Sequence, residues 1–247
     1  MILVSGPTGS GKTTTLYASL GQLVGTGRNI MTIEDPVEYH FEGINQIQVN
    51  RQAGITFPVG LRAIMRLDPD IILVGEIRDA ETANTAVQAA LTGHLVLTTI
   101  HANNAAGAII RLVEMGIEPY LVSSAVAGSV AQRLVRRICP HCRVPQRSAA
   151  EAAIYRRETG ETHQEFFIGR GCNFCSYTGF LGRIGVFEVL IVSDQIRALI
   201  NEKATATQIN EQAVKEGMIS MRQDGMLKAK EGLTTPSEVM RSVFTID

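Results

Sequence analysis

The sequence predicts an α/β fold built on a mainly parallel sheet, with a small four-cysteine insert and a C-terminal helical region. Three observations lead there. Apolar runs of strand length alternate with amphipathic stretches through the first half of the chain. A glycine-rich turn joins the first strand to the first helix. The four cysteines all fall in a later stretch where aliphatic runs are scarce.

Taken in order, Ile2-Leu3-Val4 reads as the first strand, and Thr13 to Leu23 as a helix with Leu16, Leu20 and Leu23 on one face. Gly25-Thr26-Gly27 stops that helix, and Ile30 to Ile33 is the next strand. Residues 35–56 read as irregular, with short strands around Ile44 to Val49. A helix then places Leu61, Ile64, Met65 and Leu67 on its apolar face, until Asp68-Pro69-Asp70 ends it. Ile71-Ile72-Leu73-Val74 has the unbroken apolar character of a strand covered on both sides. A helix from about Asp79 to Leu91 and a strand from Leu95 to Ile100 continue the alternation. Composition shifts near residue 136, which divides the chain into residues 1–135, 136–185 and 186–247. The last of these reads as short helices from Val186 onward. Thr235-Pro236-Ser237-Glu238 has the form of a capping box with proline at the first helical position, opening a final helix to about Val243.

Composition restricts the function classes. With 45% hydrophobic and 19% charged residues, 247 residues can bury a sizeable core, which excludes a disordered chain. The net charge of −1 argues against a surface dominated by nucleic acid. Arg133, Arg136, Arg137, Arg143 and Arg147 form a local basic cluster, read either as a solvated surface beside a metal site or as a polyanion contact. No basic segment precedes the first strand, and the longest apolar stretch, Tyr120 to Ala131, is broken by three serines and a glycine. Neither a secretory signal nor a membrane span is therefore expected, and the chain is placed in the cytoplasm.

The most specific motif is Gly6-x4-Gly11-Lys12-Thr13, between a strand and a helix. Its glycines let successive N–H groups converge on one concavity at a helix N-terminus, which suits a phosphate chain. Gly6, Thr8, Gly9, Ser10, Gly11, Lys12, Thr13 and Thr14 are the expected nucleotide-binding residues. Lys12 can reach the β- and γ-phosphates, and the Thr13 hydroxyl can ligate Mg²⁺. In an open parallel sheet, ligands bind beyond the carboxyl ends of the strands. Three further strands place polar groups there: Glu34-Asp35-Pro36-Val37-Glu38, Gly75-Glu76-Ile77-Arg78-Asp79 and Thr98-Thr99-Ile100-His101. Hydrolysis of a phosphoanhydride needs a cation on the β/γ oxygens and a group that orients or deprotonates water. Glu76 is expected to complete the Mg²⁺ shell with Thr13, leaving Glu34 to act on water. His101 is the candidate γ-phosphate sensor. His94 lies roughly 20 Å away if the intervening strand is extended, and is read as an inter-element or inter-subunit contact. Arg62 and Arg66, four residues apart, are either an arginine finger acting in trans or members of surface ion pairs.

Cys139-Pro-His-Cys142 and Cys172-Asn-Phe-Cys175 form two C-x2-C knuckles separated by 29 residues. Four thiolates at this spacing make a closed tetrahedral Zn²⁺ site, structural because no coordination position stays open, with a redox or iron–sulfur site as the other reading. His141 lies inside the first knuckle as a potential substitute ligand.

The ordered set of Gly6-Pro-Thr-Gly-Ser-Gly-Lys-Thr13, Thr32-Ile-Glu-Asp-Pro-Val-Glu38, Leu67-Asp-Pro-Asp-Ile-Ile-Leu-Val-Gly-Glu-Ile-Arg-Asp79 and Thr92-Gly-His-Leu-Val-Leu-Thr-Thr-Ile-His101 resembles the type II secretion and type IV pilus ATPases (the GspE/PilB family). The likeness extends to Gln132-Arg-Leu-Val and to Gly225 through Val243. It implies a RecA-like P-loop ATPase core over 1–135, a zinc-binding subdomain over 136–185 and a C-terminal helical region over 186–247. It further implies ATP, Mg²⁺ and Zn²⁺ as cofactors, a homo-hexameric ring, and docking from the cytoplasm to an inner-membrane platform protein of a secretion or pilus apparatus. Glu34 matches the acidic-box glutamate, Glu76 the Walker B glutamate, and His94 with His101 the histidine box. The cysteine insert points to the secretion and pilus-extension branch. Five residues precede the loop, where the family has a further domain that helps close the nucleotide site. Weak ATP binding and slow hydrolysis are therefore expected of this chain. Two other readings remain: an interaction module for which nucleotide is a conformational ligand, and a DNA-translocating VirB11-like ATPase.

Overall fold

In the computed structural model, which describes residues 1–243, the chain divides into two compact units. One comprises Met1–Thr8, Lys12–Ala131 and Val189–Met218; the other comprises Gly9–Gly11, Gln132–Glu188 and the chain from Ile219 on. The three zones read from composition and these two units divide the chain at different points. The physical reason is that the C-terminal helices pack in two separate groups.

The first unit opens with β1 (Ile2–Ser5), whose Leu3 and Val4 are buried and whose Ile2 is partly so, and α1 (Lys12–Leu23). β2 (Ile30–Glu34) and β3 (Asn45–Gln48) follow, then α2 (Phe57–Ile64), β4 (Ile71–Ile77), α3 (Ala80–Leu91) and β5 (Leu95–Ile100). After α4 (Ala105–Glu114) and α5 (Pro119–Ala125) the chain enters β6 (Gly128–Ile138), which begins in this unit. The sheet order is β3-β2-β4-β5-β1, continued by the first residues of β6. Every pairing among these strands is parallel, so the carboxyl ends of β1, β2, β4 and β5 share one edge, as the strand-helix alternation predicts. Burial explains the apolar runs: Ile71, Ile72, Leu73 and Val74 are essentially inaccessible to solvent. On one face α1 covers the sheet through Leu16, Tyr17 and Leu20 against Val4, Ile30, Ile71, Leu73 and Leu97.

Helix starts in this unit follow their capping residues. Thr56 caps α2, Asp79 caps α3 and Asn104 caps α4, each by accepting a backbone N–H from the third residue on. α2 ends at Ile64, so Leu67 lies beyond it and is 54% exposed rather than on its apolar face. Asp68 adopts a left-handed backbone there, which breaks the helical path before the buried strand.

The second unit contains the rest of β6, then β7 (Arg143–Arg147), α6 (Ala149–Thr159), β8 (Glu165–Gly169) and most of β9 (Phe180–Ile191). β7 and β8 form an antiparallel ribbon, with Arg143 opposite Gly169. The chain from Val186 is therefore not helical at first: β9 continues through Ile191, because Val186, Glu188 and Leu190 alternate inward. The helices then separate. α7 (Asp194–Asn201) packs on α5, and α8 (Ala206–Lys215) on α4, within the first unit. α9 (Met221–Lys230) and α10 (Pro236–Val243) pack with α6 in the second, where Tyr155, Phe166, Met226 and Val239 form a core cluster. The last helix is capped by half of the expected box. Thr235 Oγ1 accepts the Glu238 N–H at 3.2 Å, but the Glu238 carboxylate turns instead to Arg136 and Arg241. Two guanidiniums outcompete one backbone amide for it.

Candidate nucleotide and metal sites

Between β1 and α1 the phosphate loop takes positive φ at Gly6 (144°), Gly9 (77°) and Gly11 (90°), values that side-chain-bearing residues rarely adopt. Lys12 Nζ donates to the carbonyls of Gly6 (2.8 Å) and Pro7 (3.0 Å), so the ammonium folds back over the loop it closes. Thr8, Gly9, Thr13 and Thr14 are exposed, and Ser10 is buried. Within the second unit Gln132 Nε2 donates to the Ser10 carbonyl at 2.7 Å, and a side chain at Gly11 would meet that amide at 3.2 Å.

The sheet edge beside α1 gathers the charged residues. β4 and β5 stay in register to Val74 opposite Thr98, and resume with Ile77 opposite Ile100. One extra residue therefore sits on β4 at Gly75-Glu76, a bulge of the kind that redirects a side chain. Thr99 Oγ1 holds the displaced Gly75 carbonyl at 2.8 Å. Glu76 emerges there, mostly shielded, with Arg78 Nε at 2.6 Å and His101 Nε2 at 3.9 Å. Burial lowers the pKa of His101, and the nearby Lys12 ammonium lowers it further, against the opposing pull of Glu76. Lys12, Glu76, Arg78 and His101 thus share one electrostatic neighbourhood. His101 also lines a groove of about 540 Å³ with Arg78, Asn103, Asn104 and Gly107.

Glu34 lies in a different setting. At the end of β2 it is 3% exposed, and three side chains donate to its carboxylate. Tyr17 Oη donates to Oε2, while Thr32 Oγ1 (2.5 Å) and Gln46 Nε2 (3.2 Å) donate to Oε1. Gly75 allows this strand pair to approach closely, since a Cβ there would stand 3.3 Å from Glu34 Cα. Tyr17, Thr32, Gln46, Thr99, Arg78 and Gln132 were not singled out by sequence. Thr32, Arg78, Thr99 and Gln132 had a signal, since each lies in a quoted motif, whereas Tyr17 and Gln46 are polar residues that reach Glu34 from other elements.

The remaining candidates fall apart in space. His94 is at the amino end of β5, the opposite end from His101, with Nδ1 2.9 Å from the Ala89 carbonyl at the close of α3. Arg62 pairs with Glu81 at 2.9 Å on the surface. Arg66 lines a shallow groove with Arg62, Glu81 and Gln88.

In the second unit, Cys139, Cys142, Cys172 and Cys175 bring their sulfurs within 4.8 Å of one another. The separations are 3.8 Å for Cys139–Cys172, 3.9 Å for Cys142–Cys175 and 3.8 Å for Cys172–Cys175. Four thiolates about 2.3 Å from a tetrahedral Zn²⁺ would stand about 3.8 Å apart, so the donor set fits that ion. Close to the knuckles in sequence, Gly169 and Gly179 pass backbone against backbone, since a Cβ at Gly169 would fall 2.0 Å from the Gly179 carbonyl oxygen. Burial opposes ionisation of Cys175, but N–H donors from Cys172 and Gly179 outweigh it and bring the thiol to about 6. His141 stands outside the thiolate set and stacks on Phe174 at 4.0 Å.

No helix among the described residues is long and apolar enough to cross a membrane. Residues 1–241 match the family model described as Type II/IV secretion system protein. The chain is 52% identical over 242 residues to Type II secretion system protein E of Pseudomonas aeruginosa, covering 98% of this chain and 48% of that protein. It is 49% identical over 245 residues to the type IV pilus assembly ATPase PilB of Thermus thermophilus, covering 97% of this chain and 27% of that one. Among solved structures, the pilus retraction motor PilT with bound ADP superposes with a TM-score of 0.72 at 32% identity, over 97% of this chain and 60% of that chain. The chain spans about half the length of the type II secretion relatives it matches. The family-model match, which runs through nearly the whole chain, makes it a member of the type II/IV secretion system protein family.

Proposed function

We propose that this chain is the ATP-hydrolysing motor domain of a machine that assembles a type II secretion pseudopilus or a type IV pilus. The observation that carries the proposal is the grouping of Lys12, Glu76 and His101 beside the phosphate loop on one sheet edge. The names of the relatives, secretion protein E and a pilus assembly ATPase, support the process it would power. In this reading the loop N–H groups from Gly6 to Thr14 cradle the phosphates, and Lys12 exchanges its loop carbonyls for the β- and γ-phosphate oxygens. The Thr13 hydroxyl and the Glu76 carboxylate are hard oxygen donors of the type Mg²⁺ takes, and a bound Mg²⁺ would neutralise developing phosphate charge. Glu34 accepts a proton from, or orients, the attacking water. His101, held largely neutral by burial and by Lys12, offers a ring nitrogen to the γ-phosphate and reports its loss.

Glu76 is engaged by Arg78 and must release it before serving a cation, which supports slow hydrolysis by the isolated chain. The four-thiolate centre is structural, holding the two knuckles with Zn²⁺. We place the working form in a cytoplasmic homo-hexamer, peripheral to the inner membrane through a platform protein. Nucleic acid is not a partner in this reading, and the net charge of −1 supports that. His94 and Arg66 are then available to neighbouring subunits, whereas Arg62 already has Glu81. The test is Mg²⁺-dependent phosphate release from ATP by the wild type and by Glu76→Gln. Turnover lost on substitution supports a motor; equal slow release from both would favour an interaction module that uses nucleotide as a ligand.

A further inference from the structure

A carboxylate has about four acceptor positions, two on each oxygen. In Glu34 both positions on Oε1 are taken, by Thr32 and Gln46, while Oε2 takes Tyr17 and, among the described residues, keeps one position open. That open position is where a water could be held, and its direction depends on where Tyr17 pins Oε2. Tyr17 is itself fixed. Its ring is 1% exposed and edge-on to both Tyr39 (4.6 Å) and Phe41 (5.2 Å), and its oxygen accepts the Glu38 N–H at 3.2 Å. It stands on α1, the helix that begins with Lys12 and Thr13. Residues 34–41 after β2 are thus tied to the phosphate-loop helix through one phenol, and Gln46 adds a second tie by accepting the Phe41 N–H at 2.9 Å.

We infer that Tyr17 is a positioning residue for hydrolysis, fixing the one free acceptor site of Glu34 relative to the helix that carries Lys12 and Thr13. The inference rests on the assignment of Glu34 to the attacking water. A movement of α1 on nucleotide binding is transmitted to that carboxylate through the Tyr17 hydroxyl. Packing alone would not require the hydroxyl, because the ring contacts with Tyr39, Phe41 and the sheet would survive its removal.

The test is a double-mutant cycle on single-turnover ATP hydrolysis with Mg²⁺, using wild type, Tyr17→Phe, Glu34→Gln and the pair. Nucleotide affinity and thermal midpoint are read on the same proteins. Tyr17→Phe should lower the hydrolysis rate about tenfold and leave ATP affinity within about twofold, as expected for lost orientation rather than lost binding. In the Glu34→Gln background the same substitution should cost nothing further. An undiminished rate in Tyr17→Phe, with Glu34→Gln inactive, overturns the inference and leaves the assignment of Glu34 standing. An equal loss in both backgrounds makes Tyr17 a part of the fold and also overturns it. Full activity in Glu34→Gln removes the assignment of Glu34, and the inference with it.

Discussion

Glu238 offers the best-defined stability prediction. Its carboxylate is 2% exposed and faces two guanidiniums, with Arg136 Nη2 and Arg241 Nη2 each at 2.7 Å, and it also accepts the Arg136 N–H at 3.1 Å. Burial alone would raise its pKa, but the hydrogen bonds from Arg241 and Arg136 prevail and bring it from the usual 4.5 to about 2. At about 1.36 kcal/mol per unit, the gap corresponds to about 3 kcal/mol of stability. Because the folded pKa is depressed, this contribution is complete above about pH 5 and declines as the pH falls through 4.5 toward 2. At pH 4 about 0.8 kcal/mol of it is already gone. Glu238→Gln keeps the shape but removes the charge, and both arginines remain partly solvated, so no isolated buried cation is created. The expected loss at pH 7 is about 2–3 kcal/mol, localised to the joint between β6 and α10. Hydrogen exchange of peptides covering 136–138 and 236–243 reads it directly, with about 100-fold faster exchange at pH 7 and a smaller ratio to wild type at pH 4. Exchange at the wild-type rate at pH 7 in this variant would show that the Glu238 ion pairs do not stabilise this joint.

The metal reading predicts about one equivalent of zinc in purified protein. Cys172→Ser should lose it and lower the thermal midpoint of the second unit, and less than about half an equivalent in folded wild type would remove the zinc assignment. Gly75→Ala should push a Cβ against Glu34 Cα and the Ile33 carbonyl, at 3.3 and 3.4 Å. A cost of about 1–2 kcal/mol in stability is expected, together with about a tenfold loss of hydrolysis from displaced carboxylates; unchanged kinetics would show that the bulge does not set the site. Single-stranded DNA should not retain the protein at moderate salt, and retention there would restore the DNA-translocating reading.

How much was legible in the sequence depended on the range of the interaction. β4 was readable because Ile71–Val74 is apolar without interruption, as burial on both faces demands. Its continuation to Ile77 was not, since Gly75 and Glu76 belong to a bulge defined only by the facing strand. β9 beyond Val186 gives no alternating signal, because the charged Glu188 is buried while Val189 and Ile191 are exposed. The C-terminal helices were foreseen as helices, but their division between two packing groups depends on tertiary partners such as Asn201 with Ser123 and Asp224 with the Phe187 N–H. At the site, the glycine loop and the two knuckles were legible because their chemistry requires fixed local spacing. The separation of His94 from His101 followed from strand length alone. The partners of Glu34 were not legible: Tyr17 and Gln46 are 17 and 12 residues away and carry no periodic signal.

In the proposed function the acidic residues on one sheet edge perform hydrolysis for the nucleotide held by the loop. The most direct measurement of that role is Mg²⁺-dependent ATP turnover, beside nucleotide affinity, in Glu76→Gln, Glu34→Gln and His94→Ala. The two glutamate variants should bind nucleotide yet lose turnover by about 100-fold or more, while His94→Ala, at the far end of β5, should keep the turnover of the isolated chain. Wild-type turnover in both glutamate variants would contradict that role.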